Sequence, residues 1–371
     1  MVGIVVVAAM FIVMLSAPFA GAMIYCVTKS GVVLHIEQNR VRDGRYFGKS
    51  FARLIEENLP SAQDGKIALS KREAYINADS QVPNQEQIKE LVICRRRDHE
   101  TPDLVREYQK EIYTAHNLYV YWKWIRMRAA YAGASAFLGA GTIVERWVDA
   151  NEKLVAARDC NLGMSASAGE RLWLGSGCIF RRLYAPVISI GEQNEELNYV
   201  NPVAFAQSVK QLNDPDVESS DQDKIWGAIC EKSPQRISKN IRYVDQQYTD
   251  ESGVALITVV TDRDLVVLEH IVVQGDIRSR KGVRLCDHAL VCGNIFAEGD
   301  IRLGTGAVVF GNVFTQGNIV VERQAVIGQP GQIHSMVARG NIYLEEDVII
   351  YGFVSCEGGG FVSKKEQIEA I

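Results

Sequence analysis

The sequence predicts an all-β chain: a parallel β-helix of 18-residue triangular coils in two blocks, preceded by one transmembrane helix. Three observations carry this. Gly-Asp/Asn-Ile/Val tripeptides recur 18 residues apart toward the C-terminus. Hydrophobic residues recur every six positions over two long stretches. Residues 2–27 contain no charged side chain.

The tripeptides are Gly275-Asp276-Ile277, Gly293-Asn294-Ile295 and Gly311-Asn312-Val313, with a second set, Gly299-Asp300-Ile301 and Gly317-Asn318-Ile319, offset by six. Six residues make one short strand plus a corner, and three such sides make one coil. Each strand then pairs in parallel with its equivalent in the next coil, about 4.8 Å away. Alternate residues point inward. One inward series runs Ile277, Val283, Ala289, Ile295, Ile301, Ala307, Val313, Ile319 and Ala325; a second, two residues on, runs from Ser279 and Leu285 to Ile327. The structural corners are Gly275, Gly293, Gly299, Gly311, Gly317 and Gly340, where glycine tolerates a positive φ and Asn or Asp bonds the turn backbone. Gly328-Gln329-Pro330-Gly331 breaks the register, which resumes at Gly340-Asn341-Ile342.

An earlier block lacks the glycines. Steps of six from Ile112 pass through Leu118, Trp124, Ala130, Ala136, Thr142, Val148, Leu154, Cys160, Ala166, Leu172, Cys178 and Tyr184. An α-helix would repeat at three and four instead. The expected divisions are 1–28 transmembrane helix, 29–103 juxtamembrane mixed region, 104–190 first block, 191–252 polar acidic excursion or linker, 253–360 second block and 361–371 tail. The excursion carries Asp214, Asp216, Glu218, Asp221 and Asp223, and Ala204 to Leu212 suits a short helix.

Roughly 20 apolar residues cross a bilayer, so residues 2–27 are long enough. Basic residues follow this run, at Lys29, Arg40, Arg42, Arg45, Lys49 and Arg53. The positive-inside rule then places the rest of the chain in the cytoplasm, as a single-pass protein of a bacterial inner membrane. The alternative is a cleaved signal peptide ending at Ala20-Gly21-Ala22. From Arg45 to Leu59 an amphipathic helix is expected, with Phe47, Phe51, Leu54 and Ile55 on one side.

These residues resemble the bactofilins, polymer-forming bacterial cytoskeletal proteins. The resemblance is strongest over Leu265 to Gly359 and good over Glu111 to Ile188, including Arg146-Trp147 and Arg182-Leu183-Tyr184-Ala185-Pro186. It implies a right-handed β-helix, the usual hand for parallel crossovers. It also implies end-to-end polymerisation without nucleotide and a scaffold role in cell shape or envelope synthesis, with envelope-synthesis proteins as partners. The chain departs from a minimal member in its length, its two blocks and the apolar segment in front.

Several function classes are disfavoured. A net charge of −5 argues against a nucleic-acid partner. The eight cysteines form no Cys-x-x-Cys pair, and the six histidines have no metal-ligand spacing. Neither a nucleophile elbow nor a phosphate-binding loop occurs. The expectation is therefore no enzyme, no cofactor and no metal. The rival reading is a hexapeptide-repeat acyltransferase on a left-handed β-helix, for which Leu303 to Val308 has the right form. A polysaccharide-cleaving β-helix needs clustered carboxylates, and only single acids appear, at corners. Arg128, Arg146 and Arg182 share a hexad position with Met164 between them, a candidate partner ridge. A β-helix ends on unpaired backbone groups. Self-association is therefore expected through the last coils, from Gly340 to Ser355, with Val348 and Val354 in the contact.

Overall fold

The structure, a computed structural model, describes residues 43–62, 64–69, 71–191, 234, 236–250 and 253–363. Its strands form a parallel β-solenoid, and one compact unit spans Gly44–Ile371. In the first block Ile112, Ala130, Val148 and Ala166 pair in turn at 18-residue intervals. The solenoid begins well before residue 104. Strand Arg72–Asn77 pairs with Leu91–Cys94, which pairs with Glu107–Thr114. The part of the expected mixed region from Arg72 on is thus first-block coil.

Two positions of the six-residue series are corrected. Trp124 is exposed in a left-handed corner (φ 64°), and Ile125 fills the core instead. Leu183, not Tyr184, pairs with Ala166 and is buried. The last coil of this block is therefore short, and the register slips by one residue at Leu183 and by two at Ile188, which pairs with Leu172.

The expected amphipathic helix is α1 (Tyr46–Asn58). It lies against strands Arg126–Ala132 and Ile143–Ala150 of the first block. Ala52 and Ile55 are buried with Ile67, Leu91, Ile93 and Tyr113, while Phe47 and Leu54 stay exposed. Arg45 pins its start: Nε and Nη2 donate to the two Asp149 oxygens at 2.9 and 3.0 Å. Ser167 Oγ donates to the same carboxylate at 2.6 Å. Burial pushes the Asp149 carboxyl up, and the bonds from Arg45 and Ser167 oppose it. The first block ends in β1 (Ile179–Ile190).

The second block opens with β2 (Arg236–Lys239), β3 (Tyr243–Val244) and β4 (Val254–Ala255), one strand for each of three sides. On the first side Ile277, Ile295 and Val313 stack; on the second, Val283, Ile301 and Ile319; on the third, Val272, Leu290, Val308 and Val326. The break at Gly328–Gly331 is a loop inside one coil, after which Val313 pairs with Met336. Both inward series are buried throughout, Ser279 and Thr315 included. These two hydroxyls are tolerated because each bonds a corner carbonyl, Ser279 to Arg263 O at 2.8 Å and Thr315 to Gly299 O. The chain ends its last coil in β5 (Ile349–Val362).

Among the described residues no helix is long and apolar enough to cross a membrane. The segment expected to do so, residues 2–27, lies outside them. The single-pass inner-membrane topology and the membrane partner are therefore withdrawn, as is the membrane-anchored form of the bactofilin resemblance. The fold itself, an all-β parallel solenoid, stands.

Candidate assembly surfaces

The corner glycines are required for a different reason from the one expected. None of Gly275, Gly293, Gly299, Gly311, Gly317 and Gly340 has a positive φ. They are needed because the preceding coil's backbone passes where a Cβ would stand. A Cβ on Gly275 would lie 2.5 Å from Ile257 O, and one on Gly293 would lie 2.6 Å from Gly275 O. Left-handed residues line another corner instead: His270, His288, Gly306, Gln324 and Asp347. There the rings of His270 and His288 stack at 5.3 Å.

The Asp and Asn residues beside the corner glycines are structural too. Asp276 Oδ1 accepts from Asn294 N at 2.8 Å, Asn294 Oδ1 from Asn312 N at 2.9 Å, and Asn312 Oδ1 from Ser335 N at 2.8 Å. A second ladder runs through Asp300, Asn318, Asn341 and Gly359. Each side chain satisfies a corner N–H that would otherwise be orphaned. Among the described residues no group of three or more His, Cys, Asp or Glu could hold a metal. Cys160 and Cys178 are free thiols, buried one coil apart.

The arginine ridge is only partly assembled. Arg128 Nε lies 2.9 Å from Glu111 Oε1, and Arg146 Nη1 lies 3.8 Å from the same oxygen. One carboxylate thus offsets two of the three cations. The short coil carries Arg182 off the row, and it pairs across the block junction with Ser355.

That junction overturns the expected self-association surface. β1 and β5 run antiparallel, joining Leu183 to Val354, Ala185 to Gly352 and Ile188 to Ile350. Val348 O accepts from Ile190 N at 2.9 Å, and Val362 O from Gly177 N at 2.9 Å. Val348 and Val354 are fully buried in one core that runs through both blocks. The two blocks stack tail to tail, each closing the other's last coil, so this end is already paired within the chain. Sequence periodicity could not show it, since a strand edge paired intramolecularly and one left free carry the same inward residues.

The two outer ends differ. At the head of the first block, strand Lys66–Ala68 folds back antiparallel on Arg72–Asn77. At the head of the second, β2, β3 and β4 each pair on one side only among the described residues. Ile237 and Tyr243, which flank this edge, are exposed.

No protein-family model, curated protein or solved structure matches the chain. The architecture is consistent with a bactofilin-like solenoid. The left-handed acyltransferase alternative gains no support: Leu303 to Val308 is one turn of a mixed ladder, with Gly304 against Asp287 and Gly306 against His288.

Proposed function

We propose that the chain is a non-enzymatic β-solenoid scaffold that self-associates through the head of its second block. One observation carries this reading: the second block begins on a row of strand edges paired on one side only among the described residues. Such an edge is a template for another strand. Edge pairing supplies backbone hydrogen bonds, and exposed apolar neighbours such as Ile237 and Tyr243 add contact area. The envelope-synthesis partners expected above rested on the bactofilin resemblance and form no part of this proposal.

The test is sedimentation velocity with negative-stain electron microscopy of the full chain, with and without Ile237→Lys and Tyr243→Lys together. Charged side chains on an edge oppose pairing. The expected result is end-joined rods for the native chain and single rods for the double variant. A native chain that stays monomeric at tens of micromolar, on the order of weak protein association, rejects the proposal.

A further inference from the structure

One outward row of the first block carries aromatic rings at coil spacing. Strand His99–Glu100 pairs with Leu118–Val120, which pairs with Ala136–Leu138, so Glu100, Tyr119 and Phe137 stand in one row. Their neighbours His99, Leu118 and Ala136 are buried, so these three face outward. The Tyr119 and Phe137 rings stack at 5.0 Å, and Tyr121 stacks on Tyr119 at 5.5 Å. The chain then turns a corner whose rings stay in water: Tyr121 is 59% exposed, Trp122 40% and Trp124 67%. Aromatic residues grouped in this way on a surface mark interaction sites.

The second block shows how this chain caps such a row. There Arg278, Phe296 and Phe314 stand in one outward row in the same order. The two phenyl rings stack at 5.4 Å, and the Arg278 guanidinium covers the stack 5.3 Å from the Phe296 centroid. The negative face of the ring attracts a cation there. In the first block the capping position holds a carboxylate, Glu100. It cannot play that part, since the ring face repels an anion. Glu100 is exposed and forms no ion pair among the described residues. Asp98 adds a second negative charge beside it: desolvation raises the pKa of the Tyr121 hydroxyl, and Glu100, Tyr119 and Asp98 raise it further. The bases adjacent in sequence do not neutralise these acids. Arg97 turns to donate to Ala78 O at 2.7 Å, and Lys123 forms no ion pair among the described residues.

We propose that the shelf formed by Tyr119, Tyr121 and Trp122, with Glu100 at its edge, is a docking site for an arginine-bearing segment of a partner protein. The incoming guanidinium takes the position that Arg278 holds in the second block. It meets the π face of Tyr119 and the carboxylate of Glu100 together, which neither a neutral side chain nor an anion can do. Arginine suits the site better than lysine, because its planar cation stacks on a ring while forking to a carboxylate. Tyr121 and Trp122 supply contact area around it, as residue types that anchor protein interfaces. This surface lies on the first block and is independent of the second-block edge proposed for self-association.

The test is isothermal titration of the full chain with a hexapeptide alternating arginine and glycine, blocked at both termini. The same peptide with citrulline for arginine removes the charge and keeps the size. Two variants accompany it, Glu100→Gln and Tyr121→Ala with Trp122→Ala; both change only exposed side chains. Glu269→Gln, at an exposed acid of the second block, controls for general attraction to a chain of net charge −5. The expected result is saturable binding of the arginine peptide, weakened at least about fivefold in Glu100→Gln, as the loss of an ion pair joined to a cation–π contact gives. The aromatic variant should lose as much, and Glu269→Gln should bind as the native chain does. Comparing the two peptides on the native chain keeps the test decisive if a variant misfolds. No binding of the arginine peptide at about one millimolar, the weak end of measurable affinity, overturns the proposal. So does equal binding of the citrulline peptide, or a loss in Glu269→Gln as large as in Glu100→Gln. A Glu100→Gln chain that binds the peptide normally but sediments as a smaller species would assign the shelf to a second copy and equally overturn it.

Discussion

At the scale of single residues, the solenoid turns many polar side chains into internal fittings, and His99 is one that it does not. It sits inward in the row continued by Leu118 and Ala136. Its Nε2 has no hydrogen-bond partner, and its ring meets Tyr108 edge-on at 6.2 Å. Burial, with the nearby Arg97 charge adding, lowers its pKa to about 4. The unfolded chain binds this proton near 6.5, so the neutral ring's contribution is fully present above that pH. It is lost as pH falls toward about 4. At about 1.4 kcal/mol per pH unit the loss approaches about 3 kcal/mol. Thermal melts of the native chain and His99→Leu should diverge between these pH values, the variant falling less steeply. Parallel profiles would show that His99 does not remain neutral in the fold.

At the scale of elements, β1 and β5 form the decisive contact. Val354→Lys would place an ammonium between Leu183 and Met336, at a cost of several kcal/mol. The expected outcome is lower thermal stability and faster amide exchange over Ile179–Ile190, with no direct effect on assembly between chains. A stable variant with altered sedimentation alone would restore this end as an intermolecular surface. The comparison also shows what a sequence reveals here. Coil length, the three sides and nearly every inward residue of the second block follow from the 18-residue spacing, because core packing repeats with the backbone. Trp124 and Tyr184 escaped it. A left-handed corner and a one-residue slip change which side chain faces inward without changing residue type. The direction in which the blocks face each other escaped entirely, since a period has no sign. The Asp and Asn residues at the corners were legible as corners but not as ladder acceptors, which depend on the neighbouring coil.

At the scale of the whole molecule, pairing within the chain masks what its pieces would do alone. A fragment from Leu265 onward would lack β1 and bare the outer edge of β5. It should dimerise tail to tail in sedimentation, and a fragment ending at Ile190 should displace that dimer into a mixed complex. A fragment that stays monomeric would show that β5 needs no partner. The reversed stacking also bears on how the chain is made. β1 is complete at residue 190, but β5 starts only at residue 349. At synthesis rates of about 5–20 residues per second, the ribosome needs roughly ten to thirty seconds to supply the matching strand. For that interval the nascent first block presents an open edge near other nascent chains bearing the same edge. The closing strand follows β1 along the chain, so a message truncated before residue 349 yields a product with this adhesive edge uncovered. Full-length translation is thus itself the step that renders the molecule non-adhesive at its centre.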